Sequence, residues 1–185
     1  MQLYESITFW HIKIRPASPG LFQPKAECFS FLHMWRTYFI NSLNTCAYVL
    51  VPGEFSAIVS VKGRNIKAEK IEQFVATKLQ KKLTGIFSQE QVDLMVSGVS
   101  AVRLLNEKDC IQTTLDIHRI PQKYSIAGDF RAYPFSSYKV LASGTPTQID
   151  RQTVWNWFGG KHQFHNLHQI CHVRPTADSV ASQLN

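Results

Sequence analysis

Along the first half of the chain, apolar and polar positions alternate between two periods. Residues 7–15 (ITFWHIKIR) are β-branched and aromatic with period-two alternation, and they stop at Pro16 and the turn-forming Ser18-Pro19-Gly20. A strand is predicted there. Residues 25–43 place Phe29, Leu32, Trp35, Phe39 and Leu43 at three-to-four spacing, the signature of an amphipathic helix. Two apolar runs, 45–51 and 55–61, flank Pro52-Gly53 and read as a hairpin. Helical spacing returns over 67–83 through Ile71, Phe74, Val75, Leu79 and Leu83. Residues 92–105 then read as extended and 107–118 as helical, giving the order βαββαβ followed by a helix. That order predicts an α+β fold: a ferredoxin-like sheet with an additional helix and a C-terminal extension.

Beyond Pro121 the pattern weakens. A loop with Gly128, an aromatic stretch over 130–138, a Ser/Gly/Thr/Pro segment over 143–147 and a short helix over 150–158 are expected, with a frayed tail after Pro175. The organisation is read as one domain over 1–142 and a helical extension over 143–185, without internal repeats.

Composition supports a folded chain. Of the 185 residues, 44% are apolar, 12% aromatic and 18% charged, too apolar for disorder. No apolar run reaches the roughly 18 residues that a membrane-spanning helix needs, and the N-terminus lacks a basic segment followed by a long apolar one. A cytoplasmic location with no membrane partner is therefore expected. Cys28, Cys46, Cys110 and Cys171 form no C-x-x-C pair and read as buried thiols rather than a zinc or redox motif. The formal net charge is +7. Between Lys62 and Lys82, seven Lys and Arg stand against Glu69 and Glu72, a local excess of +5. Such a concentration suits a polyanionic partner, or equally a solvated helix face.

Several stretches, spread over residues 9–168, together resemble a known family. They are His11-Ile12 with Arg15; Ala47-Tyr48-Val49-Leu50-Val51-Pro52; Asp116-Ile117-His118-Arg119-Ile120-Pro121-Gln122-Lys123; Asp129 through Tyr138 (DFRAYPFSSY); and Trp157-Phe158-Gly159-Gly160 with His168. In order and spacing they resemble the REP-associated tyrosine transposases, of the single-tyrosine HUH class of single-strand nucleases. The family carries His-x-His on the second hairpin strand, and alternation puts both imidazoles on one face to hold Mg²⁺ or Mn²⁺. A helix-borne tyrosine attacks the phosphodiester, and a polar ligand lies one turn later.

The matching positions here differ. Glu54 and Ser56 stand where the two histidines are expected, Asp116 where the tyrosine is expected, and Ile120 where the polar ligand is expected. The resemblance thus implies a degenerate member with the nucleophile and the metal ligands gone and no cofactor retained. Lys78, Lys81, Lys82, Arg103, Arg119 and Lys123 are the candidate contacts to DNA, single-stranded or hairpin. Four alternatives stand beside that reading: a module without a DNA role or a decaying remnant; an active metal-dependent nuclease with a rebuilt site; a Mg²⁺ site formed by Glu54 and Asp116; and zinc or nickel binding by His162, His165, His168 and Cys171-His172.

Overall fold

In the computed structural model, residues 6–16, 20–40 and 42–173 are described, without the side chains of 171–173. Four antiparallel strands form one sheet in the order β2-β3-β1-β4: β1 Ile7–Ile14, β2 Asn44–Val51, β3 Glu54–Lys62 and β4 Val99–Leu104. Helices α1 Lys25–Phe39 and α2 Ala68–Leu83 connect them, as the ferredoxin-like reading expects. Gly53 takes φ 74°, the left-handed value that a tight hairpin favours.

Three expectations change in detail. Residues 92–97 are not extended; they belong to a helix, α3 Gln89–Ser97, followed after Gly98 by β4. Ser88 and Gln91 form a capping box at its start, and Val92 and Met95 supply its buried positions. The first helix stops at Phe39, where Ser42 N and Leu43 N both donate to Phe39 O and turn the chain into β2. The helix expected to end at His118 runs on as α4 Glu107–Lys123, through Pro121. An interior proline lacks the N–H that would bond one turn back and its ring crowds the carbonyl there, a penalty that the packing of α4 on β2 and β3 offsets. Tyr124 N then donates to Ile120 O at 2.9 Å, so the helix closes one residue beyond Lys123.

Alternation along β1 sends Trp10, Ile12 and Ile14 to one face and Phe9, His11 and Lys13 to the other. On the first face lies the aromatic core. Phe55 of β3 meets Phe31 and Trp35 of α1 at ring separations of 5.0 and 4.6 Å, and Trp35 stacks on Phe39 at 4.2 Å. The α2 stripe Ile71, Val75, Leu79 and Leu83 buries beside it. On the second face α4 crosses β2 and β3, joined by α6 Arg151–Phe158, whose Trp157 meets Phe9 edge-on.

The aromatic stretch expected from sequence covers the edge of β2. Leu50 N donates to Phe135 O and Ser137 N to Tyr48 O, both at 2.9 Å, while the Tyr133 hydroxyl donates to Leu50 O. Its Tyr138 opens α5 Tyr138–Ala142. From there a chain of hydrogen bonds crosses the interior to α7 Lys161–Val173. His168 Nδ1 lies 2.7 Å from Phe164 O, which can only accept, so His168 presents Nε2 as acceptor. His118 Nδ1 donates to it at 2.8 Å, and His118 Nε2 therefore accepts from the Ser137 hydroxyl at 2.8 Å. Ser137 Oγ in turn accepts from Tyr48 N at 2.9 Å.

Cys28, Cys46 and Cys110 are buried and free, as expected; Cys171 lies outside the described side chains, and Ser18-Pro19 and the tail after Pro175 outside the described residues. Among the described residues, no helix is long and apolar enough to cross a membrane.

Both imidazoles of the relay are held neutral. Burial, then the neighbouring His168, pushes His118 well below its ordinary value, and burial lowers His168 to about 4. Unfolded histidines take up protons near 6.5 while these do so only at much lower pH, so in between the unfolded state binds more protons. Stability therefore falls as pH drops from about 6.5, by about 2 kcal/mol per histidine between pH 7 and pH 5. Urea unfolding at the two pH values checks the loss. Imidazole NMR shifts of His118 and His168 that do not titrate above pH 5 check its origin.

Candidate nucleic-acid interface

The second face of the sheet gathers side chains from β1, β3 and the end of α4. In the strand register Lys13 pairs with Ser56 and Ile14 with Phe55, which sets Arg15 beside Glu54. Arg15 is fixed by its backbone as well: its N–H donates to Gly98 O at 3.0 Å. A Cβ at Gly98 would lie 2.3 Å from Arg15 O, so only glycine allows this approach. The close approach of the α3–β4 junction thus holds Arg15 at the sheet margin.

Glu54 is 3% exposed. Its Oε2 accepts from Arg15 Nη2 at 2.7 Å and Nε at 3.2 Å, and from the Tyr124 hydroxyl at 3.3 Å. A buried carboxylate needs such partners, because desolvating an unpaired charge is strongly unfavourable. The Arg15 side chain, 59% exposed, stays open to solvent. Ser56, the next residue on this face, shares a 2.7 Å hydrogen bond with His11 Nε2. Burial, and secondarily the Lys13 charge, lowers His11 to about 4, so it is neutral near pH 7.

The positions singled out by sequence are only partly brought together. Glu54 and Ser56 share the face, each tied to a β1 side chain. Asp116 is exposed on α4 and accepts from Gln112 one turn earlier, and Ile120 packs half-buried against the core. Among the described residues, no group of three or more His, Cys, Asp or Glu is placed to hold a metal ion. With Glu54 committed to Arg15, Ser56 to His11 and an isoleucine at 120, these residues do not fit a divalent cation. His162 bonds Asn166 and His168 lies in the buried relay, while Cys171 and His172 fall outside the described side chains.

Lys78 caps the end of α1, donating to Tyr38 O at 2.7 Å and lying over Phe39 and Phe74; Lys82 sits 4.5 Å from the Tyr38 ring centroid. Lys81 is exposed. Arg103, exposed, pairs with Trp10 in β4 and so lies toward the α2 side. Arg119 is half-buried on α4, and Lys123 is exposed beside Tyr124.

Neither Tyr124 nor Lys13 is among the residues that the sequence singles out. Because α4 continues through Pro121, Asp116, Ile120 and Tyr124 fall at i, i+4 and i+8 on one helical row. A tyrosine hydroxyl therefore overlooks this face, about 12 Å along the axis from the position where the resemblance expects one. The i+4 spacing was visible in the sequence; the continuity of the helix was not. For Lys13 the signal was the alternation His11-Lys13-Arg15.

No protein-family model matches the chain, and no curated protein matches its sequence. Among solved structures, the fold is similar to that of a REP-associated tyrosine transposase bound to a REP hairpin, with a TM-score of 0.50, 13% sequence identity, and coverage of 78% of this chain and 84% of that one. At that identity the likeness is one of fold: the α+β, four-stranded transposase-like architecture.

The ion pair has a spectroscopic consequence. Burial, and next the Glu54 charge, raises the Tyr124 phenol above its ordinary value, with Arg15 opposing. Glu54→Gln removes the raising charge, so the Tyr124 pKa is expected to fall, read from its ring ¹³C shift on titration. The same readout in Arg15→Gln moves upward. A Tyr124 signal indifferent to both changes contradicts this geometry.

Proposed function

We propose that this chain is a transposase-derived DNA-binding protein of the cytoplasm, that it engages hairpin or single-stranded DNA through the β1/β3 face, and that it does not carry out strand transfer. The observation that carries the reading is the Arg15–Glu54 ion pair. A carboxylate at the position expected for a metal-ligating histidine orients a guanidinium through Nε and Nη2, and Nη1 takes no part in those bonds. Planar guanidinium groups suit phosphate oxygens. Since the pair itself is neutral, the net attraction for a phosphate backbone comes from Lys13 on the same strand face and from Lys123 beside Tyr124, with Arg119 one turn earlier on α4. The likeness of fold to a hairpin-bound transposase supports DNA as the ligand.

The loss of strand transfer rests on the residues. Asp116 offers a carboxylate, whose attack on phosphorus would give a labile acyl phosphate and meets charge repulsion. Ile120 has no ligand atom, and Glu54 is paired. A second reading has one specific observation behind it: Tyr124, hydrogen-bonded to Glu54, is a hydroxyl in reach of the same face. The two readings separate on a denaturing gel.

A labelled hairpin with single-stranded flanks, incubated with the protein in Mg²⁺ or Mn²⁺, is expected to give no covalent band. A band lost in Tyr124→Phe establishes the second reading instead. Gly53→Asn, Glu54→His, Ser56→His, Asp116→Tyr and Ile120→Asn together restore the family's site, and residues acting as a unit return activity only together. Asn tolerates the left-handed conformation at position 53.

Binding itself is read by fluorescence anisotropy. Affinity for the hairpin is expected to fall steeply with salt, and Lys13→Glu with Lys123→Glu to weaken it at least tenfold while flattening the salt slope by about 2, one for each lost phosphate contact. Reversal of Lys81 and Lys82 with the face intact is expected to have the smaller effect. Absence of binding at about 50 mM salt, where phosphate contacts are strongest, overturns the DNA reading.

A further inference from the structure

On the other side of the sheet, at the β2 edge, a cavity of about 800 Å³ opens between α1 and the segment 140–149. Its size falls within the roughly 300–1,000 Å³ of small-ligand sites. One row of α1, Phe29, Leu32, His33, Arg36 and Ile40, forms one wall, because these residues recur at three and four. Trp35, Thr45 and Tyr48 also line it, with Val140 and Pro146 through Ile149.

Three features give this cavity a chemical preference. Its lining contains two basic-type side chains, Arg36 and His33, and no carboxylate. It presents aromatic surface that the core does not use: Phe29 is 63% exposed, an unusual position for phenylalanine, and is held edge-on to Phe135 at 5.1 Å. The half-buried Tyr48 makes hydrogen bonds with its backbone atoms only, to Ser137, so its phenol enters the cavity's edge without a protein partner. Burial raises that phenol while the nearby Arg36 charge lowers it, which places the two groups within electrostatic reach.

The walls are held in place before any ligand arrives. Arg151 donates to Val140 O and Thr145 O, Asp150 N donates to Thr45 O, and Trp35 Nε1 donates to Thr45 Oγ1. A ligand that matches the lining rings of Phe29 and Tyr48, a phenol hydroxyl and an exposed guanidinium combines a planar polar ring with an anion.

We propose that this pocket accepts one nucleotide, with its base against the rings of Phe29 and Tyr48 and its phosphate on Arg36 and His33. Aromatic side chains receive any base through its π-face, and Arg receives phosphate. The site is separate from the β1/β3 face and stands without the hairpin-binding reading.

The test titrates the whole chain with deoxyadenosine monophosphate, following the Trp35 indole N–H and the Tyr48 ring by NMR. Saturable shifts of both are expected, weaker with deoxyadenosine or inorganic phosphate alone. Arg36→Gln and Phe29→Ala are each expected to weaken binding at least tenfold, and Tyr48→Phe severalfold. Arg36 is exposed, so Arg36→Gln is expected to keep the wild-type melting temperature, and it carries the test if Phe29→Ala, which loses the contact with Phe135, melts lower. Pocket signals that stay still with the nucleotide, or variants that bind as wild type, overturn the proposal.

A second arm assigns the source of the nucleotide. Arg36→Gln is compared on a blunt hairpin and on the same hairpin with four unpaired nucleotides. A tenfold loss confined to the extended DNA supports an unpaired nucleotide of a strand as the occupant; no loss on either DNA, while Arg36→Gln still weakens the mononucleotide, supports a free nucleotide. A chain that binds the mononucleotide but no hairpin refutes the reading of the sheet face alone, and hairpin binding without the mononucleotide response refutes the pocket alone.

Discussion

The buried relay from Phe164 through His168, His118 and Ser137 to Tyr48 joins four segments that are far apart in sequence: α7, α4, the aromatic stretch and β2. Each ring nitrogen has one role, because Phe164 O can only accept, and that single fact sets both tautomers. Remove any member and a polar group remains in an apolar interior at a cost of about 1–3 kcal/mol. The position of α4 over β2 and β3 depends on this relay, and the position of Tyr124 over Glu54 depends on α4.

The buried Glu54 sets the electrostatics of the β1/β3 face. A histidine pair on this strand would present neutral lone pairs outward. A glutamate presents a negative charge that has to be compensated inside the fold, and Arg15 compensates it from the neighbouring strand. Ser56 is likewise bonded to His11. Both side chains therefore use their polar capacity within the sheet, which is why the face offers cations and a phenol rather than open ligands.

The strands were legible because β1 alternates and the hairpin is marked by Pro52-Gly53, both local signals. Two helices were not. Residues 89–97 carry apolar side chains at 92, 94, 95 and 96, a run that satisfies either period; Ser88 with Gln91 was the deciding signal. At the end of α4, Pro121 was read as a stop, although the buried relay and packing on β2 carry the helix through it. That one boundary hid the Tyr124–Glu54 contact. The pocket was equally hidden, since Phe29 and Leu32 read as the core face of α1, whereas the core takes Cys28, Phe31, Met34, Trp35 and Phe39, the neighbouring row.

The segment 133–138 has a further effect on the sheet it borders. With Leu50 N bonded to Phe135 O and Tyr48 O accepting from Ser137 N, the outer margin of β2 is already saturated. Among the described residues, β4 is the margin left, and there Glu72 occupies the Ala101 N–H at 2.9 Å while Ser100, Val102 and Arg103 stay exposed. A sheet shared between two copies of this chain has one direction of growth: it begins at β4, and it begins by displacing a carboxylate.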